Sequence, residues 1–127
     1  MAIRVVRLGK PRLPGEGLRL GTVRRPPRGV PKSEYASRDF YDVWLPELAP
    51  SEELVKEGLR ASDEKAFRRY ARKYYSEMKR PVAARLPTRL AALSQRTHLP
   101  VGCYCENEKR CHRSLLKELL RGHGANL

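Results

Sequence analysis

The chain has 127 residues, 32% of them charged, and a formal net charge of +13 at pH 7. That length sets a single domain over residues 1–127 with a modest core. The composition excludes a membrane-embedded or disordered chain, and no run approaches the ~20 apolar residues of a transmembrane helix. The opening Met-Ala-Ile-Arg-Val-Val-Arg lacks the apolar region of a signal peptide, so a cytoplasmic protein is expected.

Ile3, Val5, Val6 and Leu8 suit a first strand, ended by Gly9-Lys10-Pro11. Pro14, Gly15 and Gly17 make a loop, and Leu18 to Val23 alternates apolar and polar as a second strand does. Arg24-Arg-Pro-Pro-Arg-Gly-Val-Pro-Lys32 is a cationic loop whose prolines and glycine forbid regular structure. Tyr35 to Leu48 carries Tyr35, Phe40, Tyr41, Trp44 and Leu45 at irregular spacing, which predicts a short helix or packed loop. Those aromatics suit a core, and Tyr35, Tyr41 and Trp44 also suit stacking on a base.

Ser51 is placed to cap a helix whose first turn holds Glu52 and Glu53, with Leu54, Val55 and Leu59 as its apolar side. Ser62 is placed to cap the next helix, which runs to about Met78. There Phe67, Tyr70, Ala71, Tyr74 and Met78 recur at three- and four-residue steps, opposite Lys65, Arg68, Arg69, Arg72 and Lys73. Pro87 opens a further helix to about Arg96 with Leu90, Ala91 and Leu93 inward. Leu99 to Cys105 reads as a strand. Leu115, Leu116, Leu119 and Leu120 form the buried face of a last helix, stopped by Gly122 or Gly124. Short strands alternating with helices predict an α/β fold: a small layered domain with a short, mainly parallel sheet flanked by helices. In such sheets ligands sit beyond the carboxyl ends of the strands. The loops after the second and last strands, carrying Arg24 and Cys105, meet at one site if those strands are parallel neighbours.

All three cysteines, Cys103, Cys105 and Cys111, fall within nine residues, among Lys109, Arg110, His112 and Arg113. An odd, clustered count is no secreted disulfide framework and points to free, metal-bound or redox-active thiols. Cys111 falls at a helix start, where unpaired N–H groups favour a thiolate or a bound anion. Four readings stay open: buried structural cysteines, a thiol nucleophile or Cys105–Cys111 redox pair, an anion cradle, and zinc bound by Cys103, Cys105, Cys111 and His112. The Cys-x-Cys-x5-Cys-His spacing is unusual for structural zinc, so no cofactor is the leading expectation. His112 is a candidate general acid or base.

Thr22-Val-Arg-Arg-Pro-Pro-Arg28, Trp44-Leu-Pro-Glu-Leu-Ala-Pro-Ser-Glu-Glu-Leu54 and Cys105 through Arg113 occur in that order. So ordered, they resemble the YeaO-like branch of the family catalogued as domain of unknown function 488, over roughly residues 18 to 120. The resemblance implies a small α/β domain and no established activity. It matches Arg24 and Arg28 to the arginines after the family's early strand, and Cys111, His112 and Arg113 to its Cys-His-Arg signature. Glu106 resembles an acid just after the last strand, and Thr22 stands where the family commonly has aspartate.

The uneven basic charge adds a phosphate-bearing partner to the expectations. The first thirty residues are dense in Lys and Arg with Glu16 as their one acid, and the acids gather at 34–64. Two Asn, one Gln and ten Pro resemble a heat-adapted composition. The leading expectation is a cationic pocket for a phosphate-bearing small ligand such as a nucleotide. Arg24, Arg28, Arg110 and Arg113 would bind the anion; Cys111, His112, Cys105 and Glu106 are the catalytic candidates. The alternatives are a non-specific nucleic-acid-binding module, using the Arg24–Lys32 loop and the Lys65–Lys73 face, and a thiol-based metal or redox protein.

Overall fold

Four short parallel strands in the order β1-β4-β2-β3 form the frame in the computed structural model, which describes residues 2–105 and 111–127. They are β1 (Ile3–Arg7), β2 (Leu20–Gly21), β3 (Val43–Trp44) and β4 (Leu99–Cys103). β4 is buried along its whole length because strands flank it on both sides, Ile3↔Leu99 to Arg7↔Cys103 and Leu20↔Val101. That explains its unbroken apolar run. The helices are α1 (Glu52–Arg60), α2 (Glu64–Met78), α3 (Pro81–Ala84), α4 (Leu86–Leu93) and α5 (His112–Gly122). The expected small α/β architecture with a parallel sheet is what the chain adopts.

The stripe on α2 is the centre of the main core. Tyr70, Tyr74 and Met78 are buried with Leu48, Leu116 and Leu120. Tyr74 donates its hydroxyl proton to Leu48 O at 2.8 Å, which satisfies the one polar atom of a fully buried ring. α5 turns Leu115, Leu116 and Leu120 inward and packs on β1, β4, α2 and α4. A smaller cluster of Leu8, Val23, Tyr41, Cys103 and Cys111 lies beside it.

Several boundaries differ from the sequence expectations, each for a tertiary reason. β2 keeps only two of the six alternating residues, because its ladder is limited by its partners. Within 35–48, Val43 and Trp44 become an edge strand by pairing with Leu20 and Gly21, flanked by 3-10 turns at Lys32–Glu34 and Pro46–Leu48. Ser51 caps α1 as expected, accepting from Leu54 N at 3.3 Å. Asp63, not Ser62, caps α2, accepting from Ala66 N at 2.7 Å. Leu59 and Leu93 are exposed, because no element covers those ends of α1 and α4. A short α3 was not expected, and α4 starts at Leu86 with Pro87 in its first turn.

One buried ion pair fixes the approach to β2. Arg19 and Glu16 are almost fully buried, and Arg19 Nε donates to Glu16 Oε2 at 2.8 Å. Arg19 Nη1 donates to Asp39 O at 2.7 Å and Nη2 to Pro11 O at 3.3 Å. Nη2 also donates to Glu16 Oε1 at 3.2 Å, so this charge is paired and hydrogen-bonded, the condition under which burial is tolerated. The lone acid of the N-terminal stretch is thus a structural counter-ion.

Candidate functional site

β2 and β4 are parallel neighbours in register Gly21↔Gly102, so their following segments emerge side by side. A cavity of about 410 Å³ lies there. Its walls include Val23, Pro50, Val55 and Leu59 with the rings of Tyr70 and Tyr104, and Arg24 and Arg25 also line it. Cys103, Cys105, Cys111 and His112 line the same space. The two chain segments singled out in the sequence therefore meet at one cavity. Gly58 has a local role: a Cβ there would meet the Tyr70 ring at 2.7 Å, so only glycine lets that ring lie against α1.

The cysteines are not equivalent. Cys103 ends β4 and Cys111 immediately precedes α5, without a capping hydrogen bond from its side chain; both are buried, with their sulfurs 2.8 Å apart. Cys105 lies beyond the strand and is exposed, and its backbone N–H donates to Cys103 Sγ at 3.4 Å. Hydrogen bonds from the Cys103 and then the Cys111 thiol hold the Cys105 thiol far below its ordinary value of 9.0. The reciprocal bonds to Cys105 and Cys111, with burial, push Cys103 far up. Cys111 is pulled down by Cys103 but ends above its ordinary value, through Cys105 and burial. The hydrogen bonds among the three sulfurs thus favour the thiolate form at the exposed Cys105 and disfavour it at Cys103 and Cys111. The sequence expects the Cys111 thiol to be more acidic and more accessible than that of Cys103; the structure buries both alike. Packing against Leu8, Val23 and Tyr41 closes Cys111 off.

His112, on the first turn of α5, is buried, and burial pushes its pKa down to about 4, so the ring is neutral at pH 7. Its Nε2 lies 2.6 Å from Thr22 O. A carbonyl only accepts, so the single ring proton is on Nε2 and Nδ1 keeps its lone pair. Nδ1 in turn faces Cys111 Sγ at 3.6 Å. Thr22 is fully buried and donates its hydroxyl proton to Gly102 O at 3.0 Å. Its carbonyl orients the histidine, a role any residue at that position supplies and no sequence pattern reveals.

The arginines divide. Arg113 is 3% exposed, donating from Nη1 to Val6 O at 2.7 Å and from Nη2 to Cys105 O at 2.6 Å. It ties α5 to β1 and to the Cys105 backbone, and it does not line the cavity. Arg24 donates from Nε to Pro50 O at 2.9 Å and from Nη2 to Ala49 O at 3.0 Å. Arg25 is ion-paired with Glu52. Arg28 is exposed and away from the cavity walls. Glu106 and Arg110 lie outside the described residues. Tyr70 and Tyr104, which sequence reasoning passed over as sites, form the aromatic walls; Tyr70 had no signal beyond its place in the helical stripe.

The family model described as the active DUF488-N3 subclade matches residues 3–124, nearly the whole chain. The chain belongs to the DUF488 family. The placing in a YeaO-like branch is compatible with this match. No curated protein and no solved structure matches the chain. For this DUF488 protein the side-chain chemistry is therefore argued from its own geometry. Cys103 Sγ, Cys111 Sγ and a ring nitrogen of His112 all lie within 4.8 Å of one another, an arrangement that could hold a metal ion. No described helix is long and apolar enough to cross a membrane.

Proposed function

We propose that this DUF488 protein is a thiol-dependent enzyme acting on a phosphate-bearing small ligand, with Cys105 as the nucleophile. The observation that carries the reading is convergence. An exposed cysteine, two buried cysteines and a neutral histidine open into one cavity that two arginines also line. The walls suit a ligand with a ring or apolar body, and Arg24 suits its anionic end. Cys105 Sγ would bond to the electrophilic atom of the ligand as the bond to the leaving group breaks. The displaced group leaves with its electron pair and takes a proton from solvent. Arg113 acts as a positioning residue, fixing the Cys105 carbonyl. Three free thiols suit a reducing cytoplasm.

Native alkylation with iodoacetamide, read by mass spectrometry, tests this reading. Cys105 should be modified first, and Cys103 and Cys111 only on unfolding. Pyrophosphate or a nucleoside monophosphate at saturation should slow the modification of Cys105. Modification of Cys103 or Cys111 ahead of Cys105, or no protection by either class of compound, overturns it.

A second reading is favoured by the donor cluster: a zinc ion held by Cys103, Cys111 and His112. Two sulfurs and an imidazole are a suitable soft donor set, and three protein ligands would leave a position open toward the cavity. His112 is already oriented for it, with Nε2–H given to a backbone carbonyl and Nδ1 turned to the sulfurs. Binding would release the thiol protons. Zinc would supply a Lewis acid beside the ligand, while Cys105 stays free. Elemental analysis after zinc loading and gel filtration should find one zinc per chain, and none with Cys103→Ser. Retention of less than a tenth of an equivalent rejects this reading.

A further inference from the structure

A second cleft lies beside edge strand β3, with none of the cysteines among its lining residues. It has a volume of about 340 Å³ and is lined by Pro26, Lys32, Tyr35, Tyr41 and Trp44, with Ser33 and Asp42 among its polar groups. That volume is at the lower end for ligand sites and admits one small ring system.

The rings are held in place. Trp44 is 43% exposed, yet its Nε1–H donates to Val23 O at 2.7 Å, so the indole is pinned while its surface stays bare. Tyr35 and Tyr41 meet edge to face, with centroids 5.3 Å apart. Tyr41 lies directly on the backbone of β2: a Cβ on Gly21 would meet its ring at 2.4 Å. The exposed, pinned indole of Trp44 and the half-buried ring of Tyr35 are stacking surfaces.

Tyr41 adds a second, independent observation. It is 4% exposed, and its hydroxyl oxygen is buried with no hydrogen-bond partner among the described residues. An unmet buried hydroxyl costs about 1–3 kcal/mol. A ligand seated against this ring with a polar edge can supply the partner that the described residues do not. The charge at the rim narrows the ligand further. Lys32 is exposed, and Arg28 is exposed on the same loop. Asp42 does not oppose them, because Arg12 pairs with it at 2.7 Å and the Arg19 backbone N–H donates to it at 2.8 Å.

We propose that this cleft binds a nucleobase carrying a phosphate: the ring stacks on Trp44 and Tyr35, a polar edge meets the Tyr41 hydroxyl, and Lys32 meets the phosphate. The ligand chemistry is shared by free nucleotides and single-stranded nucleic acid. The site uses none of the cysteines and does not rest on the thiol reading.

Trp44 is the only tryptophan in the chain, so its fluorescence reports this cleft alone. The full-length protein is titrated with adenosine and uridine 5′-monophosphates, ribose 5-phosphate, and a ten-residue oligothymidylate. Both mononucleotides or the oligonucleotide should quench saturably, and ribose 5-phosphate should not. Tyr41→Phe, which keeps the ring and the packing, should weaken binding about fivefold. Lys32→Ala, an exposed change that spares the fold, should weaken it by a similar factor. Tighter binding of the oligonucleotide than of uridine 5′-monophosphate assigns the site to single strands; equal or weaker binding assigns it to free nucleotides. The same titrations on Cys105→Ser should be unchanged, which separates this cleft from the thiol site. No saturable quenching by any base-carrying probe, equal quenching by ribose 5-phosphate, or undiminished binding by both variants overturns the proposal.

Discussion

Replacing Arg113 with alanine should destabilise the fold rather than merely weaken an anion site. Its guanidinium is buried and gives two short hydrogen bonds, to Val6 O at 2.7 Å and Cys105 O at 2.6 Å. Hydrogen bonds from a charged donor contribute ~1.5–3 kcal/mol each. Truncation leaves two carbonyls short of their partner and opens a hole where the side chain packed, so about 3–5 kcal/mol is expected. For a domain of this size that is a fall in Tm of ~12–20 °C, at roughly 4 °C per kcal/mol. Urea titration followed by circular dichroism measures it directly. Arg113→Lys should recover less than half, because an ammonium cannot bridge two carbonyls with a planar fork. If Arg113→Ala stays within about 1 kcal/mol of the parent while losing phosphate-ligand binding, the side chain is an anion clamp and the structural assignment is wrong.

Two further outcomes test other parts of the structure. His112 has a folded pKa near 4 against an ordinary 6.5, so between those values the unfolded chain binds the extra proton and folding stability rises with pH. In chelator-treated protein, stability should therefore be full above pH 6.5 and decline as pH falls toward 4, by on the order of 3 kcal/mol. His112→Asn should remove that component from the pH profile, and a parent protein equally stable at pH 4.5 and 7 contradicts the buried neutral ring. Glu16→Ala strands the buried Arg19 charge and should cost about 3–5 kcal/mol in urea titration. A loss under 1 kcal/mol would show that Arg19 reaches water.

Much of the domain was legible from its pattern. The apolar steps from Phe67 to Met78 fix α2 and its buried face, and the chain's own capping residue Ser51 starts α1, because both signals are local and repeat along the backbone. The unbroken apolar run into Cys103 marks a strand covered on both sides. The ordered Arg-Pro-Pro-Arg, Ala-Pro-Ser and Cys-His-Arg pieces were enough to indicate the family. What the sequence could not determine is which polar group faces what. Arg113 and Arg24 share a residue type and a motif-based expectation, yet one is buried between β1 and the Cys105 backbone while the other lines the cavity. Cys111 and Cys105 differ by six positions, yet the neighbours that close off Cys111 are Leu8 just after β1, Val23 two residues after β2, and Tyr41. β3 exists only because Leu20 and Gly21 offer it partners. Backbone periodicity is written residue by residue along the chain, whereas burial, strand pairing and the partners of buried polar groups arise between segments tens of residues apart, and only the tertiary structure brings those together.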